Sequence, residues 1–302
     1  MIAQKYSKQV ALLLRVIPEI AKESCFGLHG GTAINLFIRD MPRLSVDIDL
    51  TYLPIEDRDS SIKNISEALS RIKESIENKL SGVVVDHKKE NFKLLVTNQG
   101  VGIKVEVNPI MRGIYGNTQN SELSNKAQSD FQAYCAINTV PIGQLYGGKI
   151  CAALDRQHPR DLFDVKYLLN SGGFTQEIKE GLFLRLLSGE RPIHEILFPN
   201  FQDQRLAMEN QFSGMTEEAF SYEEYEAVRE ELVRIIHENI TDADKDFLLA
   251  FKSGIPNWGL YNFEMFPSIK WKLQNIQKLK ETNSAKHLEQ YESLKEKLNS
   301  IQ

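Results

Sequence analysis

The chain has 302 residues, 42% of them apolar and 25% charged, with 18 glycines and 10 prolines. That length is a prior for about two domains, each able to bury a core, and so average a composition excludes disorder and fibrous or collagen-like structure. A net charge of −5 argues against a protein that coats nucleic acid through a generally positive surface, though it leaves room for a local basic patch.

Along the chain, residues 6–22 carry Val10, Leu13, Leu14 and Ile17 on a helical period, which predicts an opening helix. Residues 26–28 read as a short strand ended by Gly30-Gly31, with Thr32 placed to cap a second helix over 33–38. A long helix is expected over 61–80, where Ile62, Ile65, Leu69, Ile72, Ile76 and Leu80 fall on one face. After Gly82 the period changes from helical to alternating. Segments 83–86, 92–97 and 101–107 are expected strands, with Asn98-Gln99-Gly100 as the turn between the last two. The block from 30 to 107 is therefore mixed α/β, with its strands expected antiparallel. Residues 113–129, rich in Asn, Ser and Gln, predict an exposed loop.

From Pro141 onward strand signals fade, and helices are expected at 142–154, 160–169, 178–187, 222–238 and 242–251. The class is α+β, with a mixed first domain over 1–140 and a mainly α-helical second domain over 141–302. The final stretch, 268–302, has seven lysines against four glutamates, net +3, leaving −8 on the rest. A solvated helix with charges paired four apart explains this more simply than a docking surface. Cys25, Cys135 and Cys151 are odd in number and widely spaced, so neither disulfides nor a cysteine zinc site is expected. The apolar run from Val10 to Ile20 is broken by Arg15 and Pro18, and no membrane span is expected. Without a secretory-type opening, the expected location is cytoplasmic.

The chemistry-bearing segment is Leu28-His29-Gly30-Gly31-Thr32, followed by Arg43-Leu44-Ser45-Val46-Asp47-Ile48-Asp49-Leu50. Glycines between a strand and a helix let backbone approach a ligand closely, and a helix start favours an anion, so Gly30, Gly31 and Thr32 describe a triphosphate cradle. In Val46 to Leu50 polar and apolar residues alternate, which puts both carboxylates on one face of a strand. Two such acids repel unless a cation lies between them, and a divalent metal is the usual solution. Glu106, on the alternating segment Ile103-Lys104-Val105-Glu106-Val107, is the expected third carboxylate if its strand pairs beside the first. Three such oxygens suit a pair of Mg²⁺ or Mn²⁺ ions and in-line nucleotidyl transfer from an NTP.

The ordered pattern Gly30-Gly31-Thr32, Arg43, Ser45, Asp47, Asp49 resembles the signature of the polymerase β-like nucleotidyltransferases, and within them the AbiEii/AbiGii toxin family. Lys149 followed by Pro159-Arg160-Asp161-Leu162-Phe163-Asp164 is similar to that family's second-domain motif, and Gly254-Ile255-Pro256-Asn257-Trp258 with Pro267-Ser268-Ile269-Lys270-Trp271 to its C-terminal pattern. The resemblance spans about residues 25 to 275.

It implies a polymerase β-like nucleotidyltransferase domain, a mixed sheet with flanking helices, ahead of the helical domain. By the same resemblance Asp47, Asp49 and Glu106 are metal ligands. Gly30, Gly31 and Thr32 are phosphate ligands, Arg43, Ser45 and Arg160 nucleotide contacts, Lys149 a charge on the triphosphate, and Asp161 a group close to the nucleotide that orients Lys149 or the base. The implied function is the toxin of a type IV toxin–antitoxin or abortive-infection system, with tRNA as acceptor and a winged-helix antitoxin as partner. The alternatives are a non-catalytic nucleotide- or partner-binding protein of the same fold and a small-molecule nucleotidyltransferase. For His29 and His158, backbone hydrogen bonding is the simpler expectation. For Trp258, Tyr261, Phe263, Phe266 and Trp271, core packing is expected over base stacking.

Overall fold

In the computed structural model, which describes residues 2–301, the chain divides into two compact units. The first comprises the chain up to Leu145 together with Glu209–Ala219; the second comprises Tyr146–Met208 and the chain from Phe220 onward. Among the described residues no helix is long and apolar enough to cross a membrane.

The first unit is built on a seven-stranded mixed sheet. Its strands are β1 (Phe26–His29), β2 (Asp47–Tyr52), β3 (Val83–Lys88), β4 (Lys93–Asn98), β5 (Val101–Val107), β6 (Gln119–Glu122) and β7 (Ala136–Thr139), in the order β3-β4-β5-β2-β1-β7-β6. Helices α1 (Gln4–Ile20) and α3 (Arg58–Lys79) pack against β5 and β3. The periodic residues Val10, Leu13, Leu14, Ile17, Ile65, Leu69, Ile72 and Ile76 are all buried there. Asp57 starts α3 by accepting the Ser60 N–H at 2.9 Å, so the helix begins four residues before the first residue of its apolar stripe, Ile62.

Pairing differs from expectation where β2 runs parallel to β5; β1 also runs parallel to β7, a strand outside those expected from the sequence. The physical reason is the crossover: α3 carries the chain back across the sheet, and the β3–β4–β5 meander then delivers β5 in the direction of β2. The segment 113–129 is likewise only partly loop. It contains β6 and most of helix α4 (Asn125–Phe131), with Ser121, Leu123 and Ala127 buried. Ser121 Oγ lies 3.0 Å from Thr139 Oγ1, and Asp40 accepts the Lys126 N–H at 2.7 Å. An edge strand buries only alternate residues, so a polar composition conceals it.

Nor does Thr32 act as a cap. Gly30 adopts φ +75°, the chain turns directly out of β1, and Thr32 lies inside the turn α2 (Gly30–Thr32), which continues as a π-helical segment over Ala33–Ile38. The segment Glu209–Ala219 returns to this unit through Leu44 N to Met215 O at 2.7 Å, Thr216 Oγ1 to Pro42 O at 3.0 Å and Ala3 N to Gly214 O at 2.9 Å.

Among its described residues the second unit has helices and no strand. Helix α5 (Ile142–Asp155) contains the division between units, and α6 (Pro159–Asn170), α7 (Gln176–Ser188), α8 (Ile193–Leu197), α9 (Arg205–Ala207), α10 (Tyr222–Asn239), α11 (Asp242–Lys252), α12 (Pro267–Thr282) and α13 (Ser284–Asn299) follow. Capping boxes at Ser221/Glu224 and Thr241/Asp244 start α10 and α11. Tyr261, Phe263 and Phe266 are buried in its core, whereas Trp271 is 43% exposed. The basic stretch forms α12 and α13, and two of its lysines are structural. Lys272 donates to the carbonyls of Gly189 and Glu190 at 2.6 and 3.0 Å, and Lys280 to Ser253 O at 2.9 Å.

Candidate active site

The sheet positions the first group of acids. Alternation buries Ile48 and Leu50 and leaves Asp47 and Asp49 half-buried on the opposite face. In the parallel β2–β5 register Asp49 stands opposite Glu106 and Asp47 opposite Lys104, while β1 places His29 on the other side of Asp49. The meander adds Lys93 next to Glu106. Glu106 Oε1 lies 3.0 Å from Lys93 Nζ and Oε2 lies 2.8 Å from Lys104 Nζ. Burial works to raise the Glu106 carboxyl, but the two ammoniums outweigh it and hold it below the usual range. Burial likewise works against the charged Lys104, and the hydrogen bond to Glu106 with the charges of Asp47 and Asp49 outweighs that too.

The glycines answer to this geometry. A Cβ on Gly30 would collide with the Asp49 carboxylate, and one on Gly31 would sit 2.8 Å from Arg43 Nη2 and 2.9 Å from Ser45 Oγ. Arg43 and Ser45 are buried, supporting the turn, with Arg43 Nη1 donating to Leu44 O at 2.9 Å. Thr32 is fully buried, its hydroxyl within reach of Asp47 O at 2.5 Å and Ser45 Oγ at 3.1 Å, so only its backbone is left to meet a phosphate. His29 Nδ1 lies 3.1 Å from Thr51 Oγ1.

For a divalent cation, Asp47 and Asp49 supply the hard oxygen donors such an ion takes, from one face of one strand. Among the described residues no three His, Cys, Asp or Glu side chains are grouped closely enough to hold a metal. Glu106, the third carboxylate, has both its oxygens on lysines. The aspartate pair thus fits a cation, and Glu106 can join it only by releasing Lys93 and Lys104.

The second group lies within the helical unit. Lys149 on α5 bridges Asp161 at 2.8 Å and Asp164 at 3.0 Å, all three buried. Arg156 grips Asp161 with two contacts, Nε to Oδ2 at 2.6 Å and Nη2 to Oδ1 at 3.0 Å. Burial would raise the Asp161 carboxyl, yet Lys149 and Arg156 together drive it far below the carboxylate range. Asp161 and Asp164 are three apart on α6 and so share a face, a spacing readable from sequence. Arg156 lies just beyond the end of α5 and carried no such signal. The start of α6 is a helix cap as well, with His158 Nδ1 accepting from Arg160 N at 3.1 Å.

Two devices set this cluster. Gly147 lets α5 touch the backbone of α7 at Gly181 and Leu182, where a Cβ has no room. Gln157, at φ +52° and buried, turns the chain from α5 to α6. Its side chain donates to Asn200 O at 2.8 Å and accepts from Gln202 N at 3.0 Å and Arg229 Nη1 at 3.2 Å, while its carbonyl accepts from Tyr225 Oη at 2.7 Å.

Residues 11–275 match the family model described as nucleotidyl transferase AbiEii toxin, type IV toxin–antitoxin system. The fold is similar to that of MenT4, a nucleotidyltransferase toxin from Mycobacterium tuberculosis H37Rv, with a TM-score of 0.62, 12% identity, and coverage of 90% of this chain and 93% of that one. A search of curated proteins returns no match.

Proposed function

We propose a reaction for this chain on the premise that the family match establishes: the chain belongs to the AbiEii nucleotidyltransferase toxins of type IV toxin–antitoxin systems. The proposed reaction moves a nucleoside monophosphate from an NTP to an acceptor hydroxyl, with a tRNA end as the acceptor. The hydroxyl oxygen bonds to the α-phosphorus, the bond from that phosphorus to the β-phosphate oxygen breaks, and pyrophosphate leaves. Asp47 and Asp49 would hold Mg²⁺ or Mn²⁺, which would neutralise charge on the triphosphate and make the acceptor hydroxyl more acidic. Glu106, once its lysines find other anions, completes the acidic set and takes the hydroxyl proton.

Gly30 and Gly31 let the β- and γ-phosphates approach the backbone, Thr32 contributes its N–H, and Arg43 and Ser45 shape the turn from below. In the helical unit Lys149 is assigned to the triphosphate as a point charge and Arg160 to the nucleotide, with Asp161 orienting Lys149. A cognate antitoxin of winged-helix type is the proposed partner. An adjacent gene encoding a small winged-helix protein would support it.

The observation that carries this reading is the register that sets Asp49 between His29 and Glu106, with Gly30 fitted to the Asp49 carboxylate. Incubation with each α-labelled NTP, Mg²⁺ and total tRNA should label the RNA, and Asp49→Ala should not. Failure to label RNA with any NTP, or labelling that survives Asp49→Ala, would sink it.

A further inference from the structure

We propose that the exposed face of β3, β4 and β5 is the track for the acceptor nucleic acid, which crosses it single-stranded with its reactive end towards Asp49. The proposal rests on the transfer reaction above and adds where the acceptor lies.

Burial alternates through all three strands. Val83, Val85, Leu94, Val96, Ile103, Val105 and Val107 face the core, while Val84, Asp86, Lys88, Leu95, Thr97 and Gly102 are exposed and Lys93, Lys104 and Glu106 half-exposed. Register then arranges the exposed side chains in rows across the sheet. One row runs Lys88, Lys93, Glu106, Asp49, and the next runs Asp86, Leu95, Lys104, Asp47. At about 4.8 Å per strand, Lys88 is roughly 14 Å from Asp49. At about 3.4 Å per stacked nucleotide, that is the reach of about four nucleotides.

The chemistry of the face suits a polynucleotide. Lys88, Lys93 and Lys104 stand on it among Asp86, Glu106, Asp47 and Asp49, three lysines to four carboxylates, so the lysines are free to meet phosphate once a cation sits on the aspartates. Their present partners are exchangeable: Lys88 pairs with Asp86 at 2.7 Å in the open, and Lys93 and Lys104 share the one carboxylate of Glu106. Solvated pairs of this kind cost little to replace with phosphate. Leu95 and Val84 offer apolar surface to base faces, and Gly102, opposite Thr97, leaves the middle of the face flat.

A protein strand, by contrast, would add to the edge of β3, and that edge is engaged. Lys73 Nζ donates to Val85 O at 2.5 Å, and Val85 N donates to Glu77 Oε1 at 3.1 Å. The occupant therefore uses the face.

The test is fluorescence anisotropy of the full chain with a 5′-fluorescein-labelled 12-nucleotide RNA, without NTP, over a KCl series. Lys88→Glu and, separately, Leu95→Asp should each weaken binding about fivefold or more, with unchanged far-UV circular dichroism. The lysine variant should also lower the log–log salt slope by about 0.7 for each phosphate it no longer neutralises, and Lys88→Arg should bind as wild type. Lys278→Glu/Lys286→Glu, on the basic C-terminal helices, should have no effect.

Face variants that bind like wild type, weakening confined to the C-terminal variant, or a wild-type chain that does not bind the RNA would each overturn the track. RNA binding that needs the face in a chain that never transfers nucleotide would leave the track standing and remove the transfer to RNA. Transfer with an unchanged KM for RNA in the face variants would do the reverse.

Discussion

The two charged groups of this molecule use the same ingredients in opposite environments. On the sheet, three carboxylates meet two lysines on an open face, with Glu106 and both lysines about one third exposed. In the helical unit, Lys149 and Arg156 balance Asp161 and Asp164, and three of the four are almost fully buried. The first group has one acid in excess and its lysines are about one third exposed, so a metal ion can take their place beside Glu106, and a phosphate the place of Glu106 beside them, at small cost. The second is neutral as a set and shielded, so removing any member leaves a buried charge without its counterweight. A constellation open to exchange suits binding and chemistry; a closed one holds a side chain in a fixed place.

The strongest way to sharpen that contrast is Asp49→Ala, which should cut nucleotide transfer by about three orders of magnitude or more. Its urea midpoint should stay at the wild-type value, because the residue is half exposed. Label incorporation and denaturation together check this, and a large loss of stability would break the comparison. Second is Asp161→Asn, expected to cost about 3–5 kcal/mol of stability by urea denaturation. Lys149→Met combined with Asp161→Asn should cost less than the two singles summed, as a shared network requires.

Third is Gly147→Ala, which changes no charge but forces α5 away from Gly181. About 1–3 kcal/mol should be lost, and transfer at a temperature where the variant remains folded should fall if the place of Lys149 matters.

The smallest effect is on pH dependence. The Asp161 carboxyl is held down in the folded chain, so its contribution is complete above its unfolded value of about 3.9 and is lost as pH falls below that. Urea midpoints taken from about pH 5 down to about pH 3 should fall more steeply in the wild type than in Asp161→Asn. Parallel slopes would assign the acid limb to other carboxylates.

Much of this could be read from local pattern. The stripes of α1 and α3, the alternation of Asp47 and Asp49 about Ile48, and the glycines after β1 all report on neighbours within a few residues. What escaped did so for identifiable reasons. Strand β6 is a polar edge, and the segment Glu209–Ala219 belongs to the sheet unit although both its flanks lie in the helical one. Arg156 sits at a corner outside any helical period, held by the left-handed Gln157. The side chains of Thr32 and Arg43 are buried beneath the turn, a packing fact that no local pattern reports.

By itself, then, the sequence determined which residues share a strand face or a helix face, because those periods are set by backbone geometry over a few residues. Only the tertiary structure decided which faces meet. The parallel pairing of β2 with β5 joins residues nearly sixty positions apart, and a slip of one residue would turn Glu106 and Lys104 away from the aspartates. That register depends on the crossover through α3 and the burial of Val105 and Val107, which no local window contains. It sets Lys93 and Lys104 beside the acids, and so makes the site a balance of exchangeable charges rather than the bare carboxylate triad that the motif alone suggests.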